Sequence, residues 1–166
     1  MKLQYIKSLF KYNKGIEVID FDFYRSFDIL YNLTDNEIKK LHDYFINKNY
    51  KKGEMIFTEN HPSAVLYIIK SGRVKLYMNF PNQEIIIKAV EAKKHFGETG
   101  IFMDVNRVTS AVAMIETDLI AIKKSDFIQF VKSNPGTGIK LLYNLAKSIS
   151  GELVDSLKTM WGYETE

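Results

Sequence analysis

The stretch that decides the fold is Lys93–Ala113, KKHFGETGIFMDVNRVTSAVA. It places glycines at 97 and 100, a glutamate between them at 98, and an arginine at 107, nine residues beyond that glutamate. Glycine lets the backbone come close to a ligand and take conformations closed to other residues. A strand-to-helix turn built on Gly97, Glu98, Thr99 and Gly100 exposes backbone amides, which favour an anion. Arg107 brings a planar fork suited to phosphate, and Glu98 a carboxylate that accepts hydrogen bonds from hydroxyls. A ligand that is both a phosphate and a sugar satisfies all of these groups together.

Outward from this segment the chain reads as short strands. EMIFTE (54–59), AVLYIIKSGRVKLYMNF (64–80), EIIIKAV (84–90) and SAVAMIETDLIAI (110–122) are rich in Ile, Val, Tyr and Phe. They are broken at Gly53, Asn60–His61–Pro62, Ser71–Gly72, Pro81–Asn82 and near Asp118, with Ser71–Gly72 reading as a hairpin turn. Strands at this spacing, beginning near Tyr50, predict a closed or double-sheet antiparallel β architecture. Helical patterns flank them. Residues 34–46 carry Thr34 as a cap, Glu37 at the third helical position and an apolar stripe of Ile38, Leu41 and Phe45. Ser125 is expected to cap DFIQFVKS (126–133), which stops before Asn134–Pro135. A long helix follows from about Gly138 to Trp161, with Leu142, Ala146, Ile149, Leu153 and Met160 along one face and Leu145, Leu157 and Trp161 widening it. Residues 1–30 are rich in aromatic and apolar positions without a clean period, and are read as an N-terminal arm.

The bulk numbers narrow the function classes. A chain of 166 residues, 46% hydrophobic and 26% charged, is one globular domain by default. There are no cysteines, which excludes a disulfide framework, a thiolate zinc site and an iron–sulfur sensor. His42, His61 and His95 are far apart in sequence and offer no clustered metal ligands. No apolar run is long enough to span a membrane, and Lys2, Lys7 and Lys11 interrupt any signal-peptide core, so a cytoplasmic location is expected. The net charge of +3 is spread over separate lysine pairs, a solvated surface rather than a nucleic-acid face. No Ser–His–acid order, Walker loop or acid pair supports catalysis, and an enzyme is not expected.

The central segment resembles the phosphate-binding cassette of cyclic nucleotide-binding domains, the family of the catabolite activator protein and the regulatory subunits of cyclic-AMP-dependent kinase. Phe96–Gly97–Glu98 matches the family's Phe-Gly-Glu, and Arg107 stands at the matching distance. Tyr50, Gly53, Ile56, LYIIKSGRVKLY with Gly72, and the closing segment KKSDFIQFVKSNPGTGIKLLYNLA match as well, so that the likeness covers roughly residues 33–155. The resemblance implies a mainly β fold: an antiparallel jelly-roll barrel with an N-terminal helix and a long C-terminal helix. It implies a domain over residues 31–161 and a tail at 162–166. Glu98 would take the ribose 2′-hydroxyl, Arg107 the phosphate, and the amides of Gly97, Glu98, Gly100 and Val108 the remaining oxygens; Thr99 and Thr109 complete the site. The ligand implied is cyclic AMP (cAMP) or cyclic GMP (cGMP), with no other cofactor and no metal. Cyclic AMP is the expected choice, because guanine preference in the family often uses a hydroxyl directly after the arginine and Val108 has none.

The chain departs from the family where Ala92–Lys93–Lys94 and Asn60 replace common glycines, where Asn106 replaces a proline, and at Val108. The long helix would lid the purine and form a homodimer seam, with a protein partner downstream. Only GYETE follows Trp161, against about sixty residues for a helix-turn-helix module, so direct DNA binding is not expected. Two other readings stand beside this one: a degenerate domain acting as a protein–protein interaction module, with Glu98 and Arg107 as a plain ion pair, and a truncated DNA-binding regulator.

Overall fold

LYII at 66–69 is a continuous apolar run rather than an alternating one, and the reason is that its strand is buried on both faces. The computed structural model describes residues 19–161. Within it β1 (Ile46–Tyr50), β8 (Thr117–Lys123), β3 (Val65–Ser71) and β6 (His95–Phe96) form one antiparallel sheet in that order. The second sheet runs β2 (Met55–Phe57), β7 (Ser110–Ala113), β4 (Arg73–Phe80), β5 (Gln83–Glu91). Tyr67 and Ile69 of β3, Leu119 and Ala121 of β8 and Phe96 of β6 face inward, meeting Val74, Leu76, Val90 and Ala111 of the other sheet. The alternate residues, Leu66, Ile68, Ile120 and Ile122, face outward into a second core shared with the helices. Side chains alternate along a strand, so two cores are served by one sheet.

The helices supply the other half of that second core. They are α1 (Phe21–Arg25), α2 (Asp35–His42), the single turn α3 (Thr99–Phe102), α4 (Lys124–Ser133) and α5 (Pro135–Trp161). Tyr24, Phe27, Ile29 and Leu30 pack with Ile38, Leu41, Phe127, Phe130, Leu141 and Leu145 on the outer face of the first sheet. The first eighteen residues of the expected arm, and the tail at 162–166, lie outside the described residues. The architecture is the expected jelly roll with flanking helices. Among the described residues the hydrogen bonds leave it as two facing sheets and do not close it into a continuous barrel.

Several local expectations are met, and others are corrected. Thr34 and Glu37 form the reciprocal capping box, although the helix ends at His42 and Phe45 packs beyond it. The break expected near Asp118 falls at 114–116, and Asp118 itself lies within β8. Helix α4 begins at Lys124, straight out of β8, without a side-chain cap; Ser125 sits inside it with its hydroxyl on Asp126. The start is held instead by the Lys124 amide, which donates to the Ala64 carbonyl at 2.8 Å. Pro135 opens α5, three residues earlier than the sequence suggests, at a position where a missing N–H costs nothing.

The two replaced family glycines are the two described non-glycine residues with positive φ, Asn60 at 65° and Lys93 at 76°. Asn tolerates that region. Lys93 is held there by backbone bonds to Ile69 and Asp28, with its ammonium 3.8 Å from the Phe23 ring centre and 4.9 Å from that of Phe27. This places Lys93 on the helix side of the molecule, away from the cassette.

Glu37 also ties α2 to α5. Lys140 Nζ donates to both of its carboxylate oxygens at 2.9 Å and Thr137 donates at 3.2 Å. Burial alone would raise its pKa, but Lys140 and the Thr34 amide and hydroxyl hold it at about 2, below the ordinary 4.5. A carboxylate whose folded pKa is depressed stabilises the fold above its unfolded value and loses that contribution as pH falls toward the folded one. Stability is therefore expected to drop between pH 4.5 and about 2. Glu37→Gln should remove about 1–3 kcal/mol at pH 7 and flatten that part of the curve, as read by urea unfolding across pH.

Candidate functional site

Phe96 ends β6 in the inner core, and the chain then turns at Gly97, with φ 83°, into the single turn of α3. A β-carbon on Gly97 would lie 2.7 Å from Arg107 Nη1 and 2.9 Å from the Val65 carbonyl oxygen. Gly100 packs so closely on Ser63 that a β-carbon there would run into its backbone and hydroxyl. Both glycines are thus fixed by close approach, and the turn they make is closed by the Ile101 amide donating to the Glu98 carbonyl at 2.8 Å. Across from it, residues 106–107 pair with 60–62: a bridge joins Pro62 and Asn106, and the Arg107 amide donates to the His61 carbonyl.

Arg107 reaches inward from that segment and is 6% exposed. Its Nη2 donates to the Val65 carbonyl at 2.8 Å and Nη1 more weakly to Gly97 at 3.4 Å. The guanidinium lies 4.0 Å from the Phe57 ring centre and 5.8 Å from that of Tyr67. Its Nε is buried without an acceptor. Among the described residues no carboxylate comes within ion-pair distance of Arg107, so the expected alternative of a plain Glu98–Arg107 salt bridge is not what the structure contains. Burial lowers the Arg107 pKa from its ordinary value, while Tyr67 and the Glu98 charge favour its protonated form. A guanidinium stays charged in any case. A buried cation lacking a counter-ion is costly; the site is arranged for an anion.

A cavity of about 150 Å³ brings the cassette together. Gly97, Glu98, Thr99, Arg107, Val108 and Thr109 line it, and Gly100 supports it from behind, buried against Ser63. Glu98 lines this space, and its carboxylate makes no hydrogen bond or ion pair to any described residue, free to accept from a ligand. Sequence reasoning missed Phe57, Ser63, Leu76, Lys88, Asn106 and Glu152, which complete the lining. Phe57 and Leu76 were legible only as strand residues. Lys88 and Glu152 lie on β5 and α5, 64 positions apart, and carry no local signal.

The histidines take separate paths. His95 Nδ1 sits 3.0 Å from both Asp28 oxygens, and His42 packs against the Tyr24 and Phe45 rings. Among the described residues no three His, Asp or Glu side chains gather as metal ligands, and no helix is long and apolar enough to cross a membrane.

Residues 47–134 match the family model described as the cyclic nucleotide-binding domain. The chain belongs to that family. It is 26% identical over 122 residues to the cyclic AMP receptor protein of Thermus thermophilus, a match covering 73% of this chain and 56% of that one. It is 29% identical over 107 residues to the cAMP-dependent protein kinase regulatory subunit of Candida albicans, over 64% of this chain and 22% of the relative. The chain therefore corresponds to about half of the first and less than a quarter of the second. A cyclic nucleotide-binding domain from Methylobacillus flagellatus superposes with a TM-score of 0.78 at 22% identity, covering 87% of this chain and 86% of that one, and shows the same fold.

Proposed function

We propose that this protein is a receptor for a cyclic nucleotide, cyclic AMP in the first place, and that α5 carries the bound state to a partner. One observation carries the reading: Arg107 is a buried cation with an unpaired Nε and no counter-ion among the described residues, opposite a glycine-built turn at the start of α3. Family membership supplies the matching anion. Arg107 and the amides of Gly97, Glu98, Gly100 and Val108 hold the phosphate, Glu98 takes the ribose 2′-hydroxyl, and Thr99 and Thr109 line the remainder. The role is recognition, with no chemical step.

The unpartnered Glu98 carboxylate gives the sugar reading its own test. Glu98→Gln should weaken cyclic AMP binding by about 10-fold, the loss of a charge-assisted hydrogen bond, while binding of the 2′-deoxy analogue changes little. Equal losses for the two ligands, measured by calorimetry, would make Glu98 a support of the loop rather than the reader of the sugar.

Homodimerisation through residues 142–161 belongs to the same proposal. The face of α5 that packs on its own domain is Gly138, Leu141, Asn144 and Leu145. Of the stripe marked in the sequence, Leu142 packs against the domain core and Leu145 is buried in it, whereas further along Ile149 is 38% exposed, Leu153 59% and Met160 77%. A second copy of this helix is the partner such a stripe suits.

A further inference from the structure

A second cleft, of about 510 Å³, lies between α5, β5 and residues 28–31; small-molecule sites usually span roughly 300–1,000 Å³. Only Lys88 and Glu152 border both this cleft and the cassette cavity, and their ion pair at 2.6 Å stands between the two spaces. Two buried polar side chains line the cleft, His95 at 3% exposure and Asn144 at 2%. Asn144 Nδ2 donates to the Ile29 carbonyl at 3.0 Å and to Asn32 Oδ1 at 2.8 Å. A carbonyl can only accept, so the orientation of the amide is fixed. Its Oδ1 is left buried without a donor. His95 is oriented in the same way. The Asp28 carboxylate accepts from Nδ1 at 3.0 Å, so in the neutral ring Nε2 is an acceptor, and it has no partner among the described residues. Both open groups therefore call for donors, and folded proteins leave few buried polar atoms unpaired.

The rest of the wall narrows what supplies those donors. Among the described residues no three His, Asp or Glu side chains gather as metal ligands. An anion would meet the Asn144 oxygen and the Asp28 carboxylate, and a simple cation would meet Lys88, Lys94 and Lys147. Most charges of the wall are already answered within the protein: Lys88 by Glu152, Glu91 by Arg73, and Asp28 by His95 and, at 3.9 Å, Lys94. Lys147 and Asp155 remain, one of each sign. A neutral molecule that both donates and accepts fits such a wall, and a hydroxyl group does both. Tyr31, 47% exposed, adds an aromatic ring, with Lys147 Nζ 5.9 Å from its centre. The negative face of a ring suits the C–H groups of a sugar. We propose that this cleft is a second binding site, separate from the cassette, for a small neutral polyhydroxylated molecule of the sugar or cyclitol class. Its hydroxyls donate to Asn144 Oδ1 and His95 Nε2. The site stands whatever ligand the cassette takes.

The test titrates the purified chain with glucose, sucrose and myo-inositol at millimolar concentration, and with inorganic phosphate for comparison. Nitrogen-edited NMR follows the Asn144 side-chain amide and the His95 ring. At least one neutral probe should saturate and shift both groups. Asn144→Ala would also release Ile29, so the variants are placed at the exposed side chains. Tyr31→Ala and Lys147→Met should each weaken that probe by about 2–12-fold, the worth of one ring contact or one hydrogen bond. Both should stay folded by circular dichroism and keep the wild-type affinity for cyclic AMP. No saturable binding by any neutral probe would overturn the site and leave Asn144 Oδ1 to a water. Binding that is unchanged in both variants would overturn it as an adventitious additive only. Phosphate bound in preference to the neutral probes would overturn the ligand class. A parallel fall in cyclic AMP affinity would overturn the separation from the cassette. Should the chain bind no cyclic nucleotide, the functional reading above fails and the probe titration alone decides the cleft.

Discussion

Arg107→Lys is expected to weaken cyclic AMP binding by about 10–150-fold, the loss of charge-assisted hydrogen bonds worth about 1.5–3 kcal/mol, while both sheets stay folded. Arg107 serves two masters. Its Nη2 anchors the Val65 carbonyl and Nη1 reaches Gly97 weakly, while Nε is left without a protein acceptor. Lysine keeps the charge but offers a single nitrogen, which can reach the carbonyl or the phosphate and cannot span both. It also gives up the flat stacking on Phe57 at 4.0 Å. Calorimetric titration gives the affinity, and circular dichroism verifies the fold. An unchanged affinity in a folded variant would remove the phosphate role from Arg107.

Leu153→Asp is expected to convert a dimer into a monomer without unfolding it. Leu153 is 59% exposed in the single chain, so a carboxylate there stays in water and the protomer loses little. In a seam between two α5 helices the same carboxylate is buried, facing its copy, and an uncompensated buried charge costs about 3–5 kcal/mol. That corresponds to roughly a 100- to 5,000-fold weaker association. Sedimentation equilibrium reads the outcome. A wild-type protein that sediments as a monomer with and without nucleotide would reject the seam and leave α5 as a lid alone.

The cassette was legible in the sequence because its geometry admits few residue types. Gly97 has to be glycine where Arg107 and Val65 crowd it, and Gly100 where Ser63 does, so the spacing of those residues records the loop's shape. The strands of the inner core were legible for a similar reason: β3 and β8 are buried on both faces and show as unbroken apolar runs. What stayed hidden has its own physics. Strand β1, INKNY, lies at a sheet edge with its middle residues exposed, so polar side chains satisfy it and no alternation appears. Strand β6 is two residues long. The start of α4 is set by a tertiary bond from Lys124 to Ala64, which left Ser125 as a false cap. Helix α5 carries two apolar stripes, and periodicity alone does not say which one meets its own domain. The Lys88–Glu152 contact exists only because the fold brings β5 beneath α5.

The central claim is that the cassette holds a cyclic nucleotide, and direct calorimetric titration of the purified chain with cyclic AMP, with cyclic GMP as the companion ligand, tests it most directly. Saturable binding of one nucleotide per chain is expected, tighter for cyclic AMP than for cyclic GMP and strongly reduced in Arg107→Lys. Absence of binding by either nucleotide at millimolar concentration, in a protein shown to be folded, would contradict it and leave the domain as an interaction module with an empty cassette.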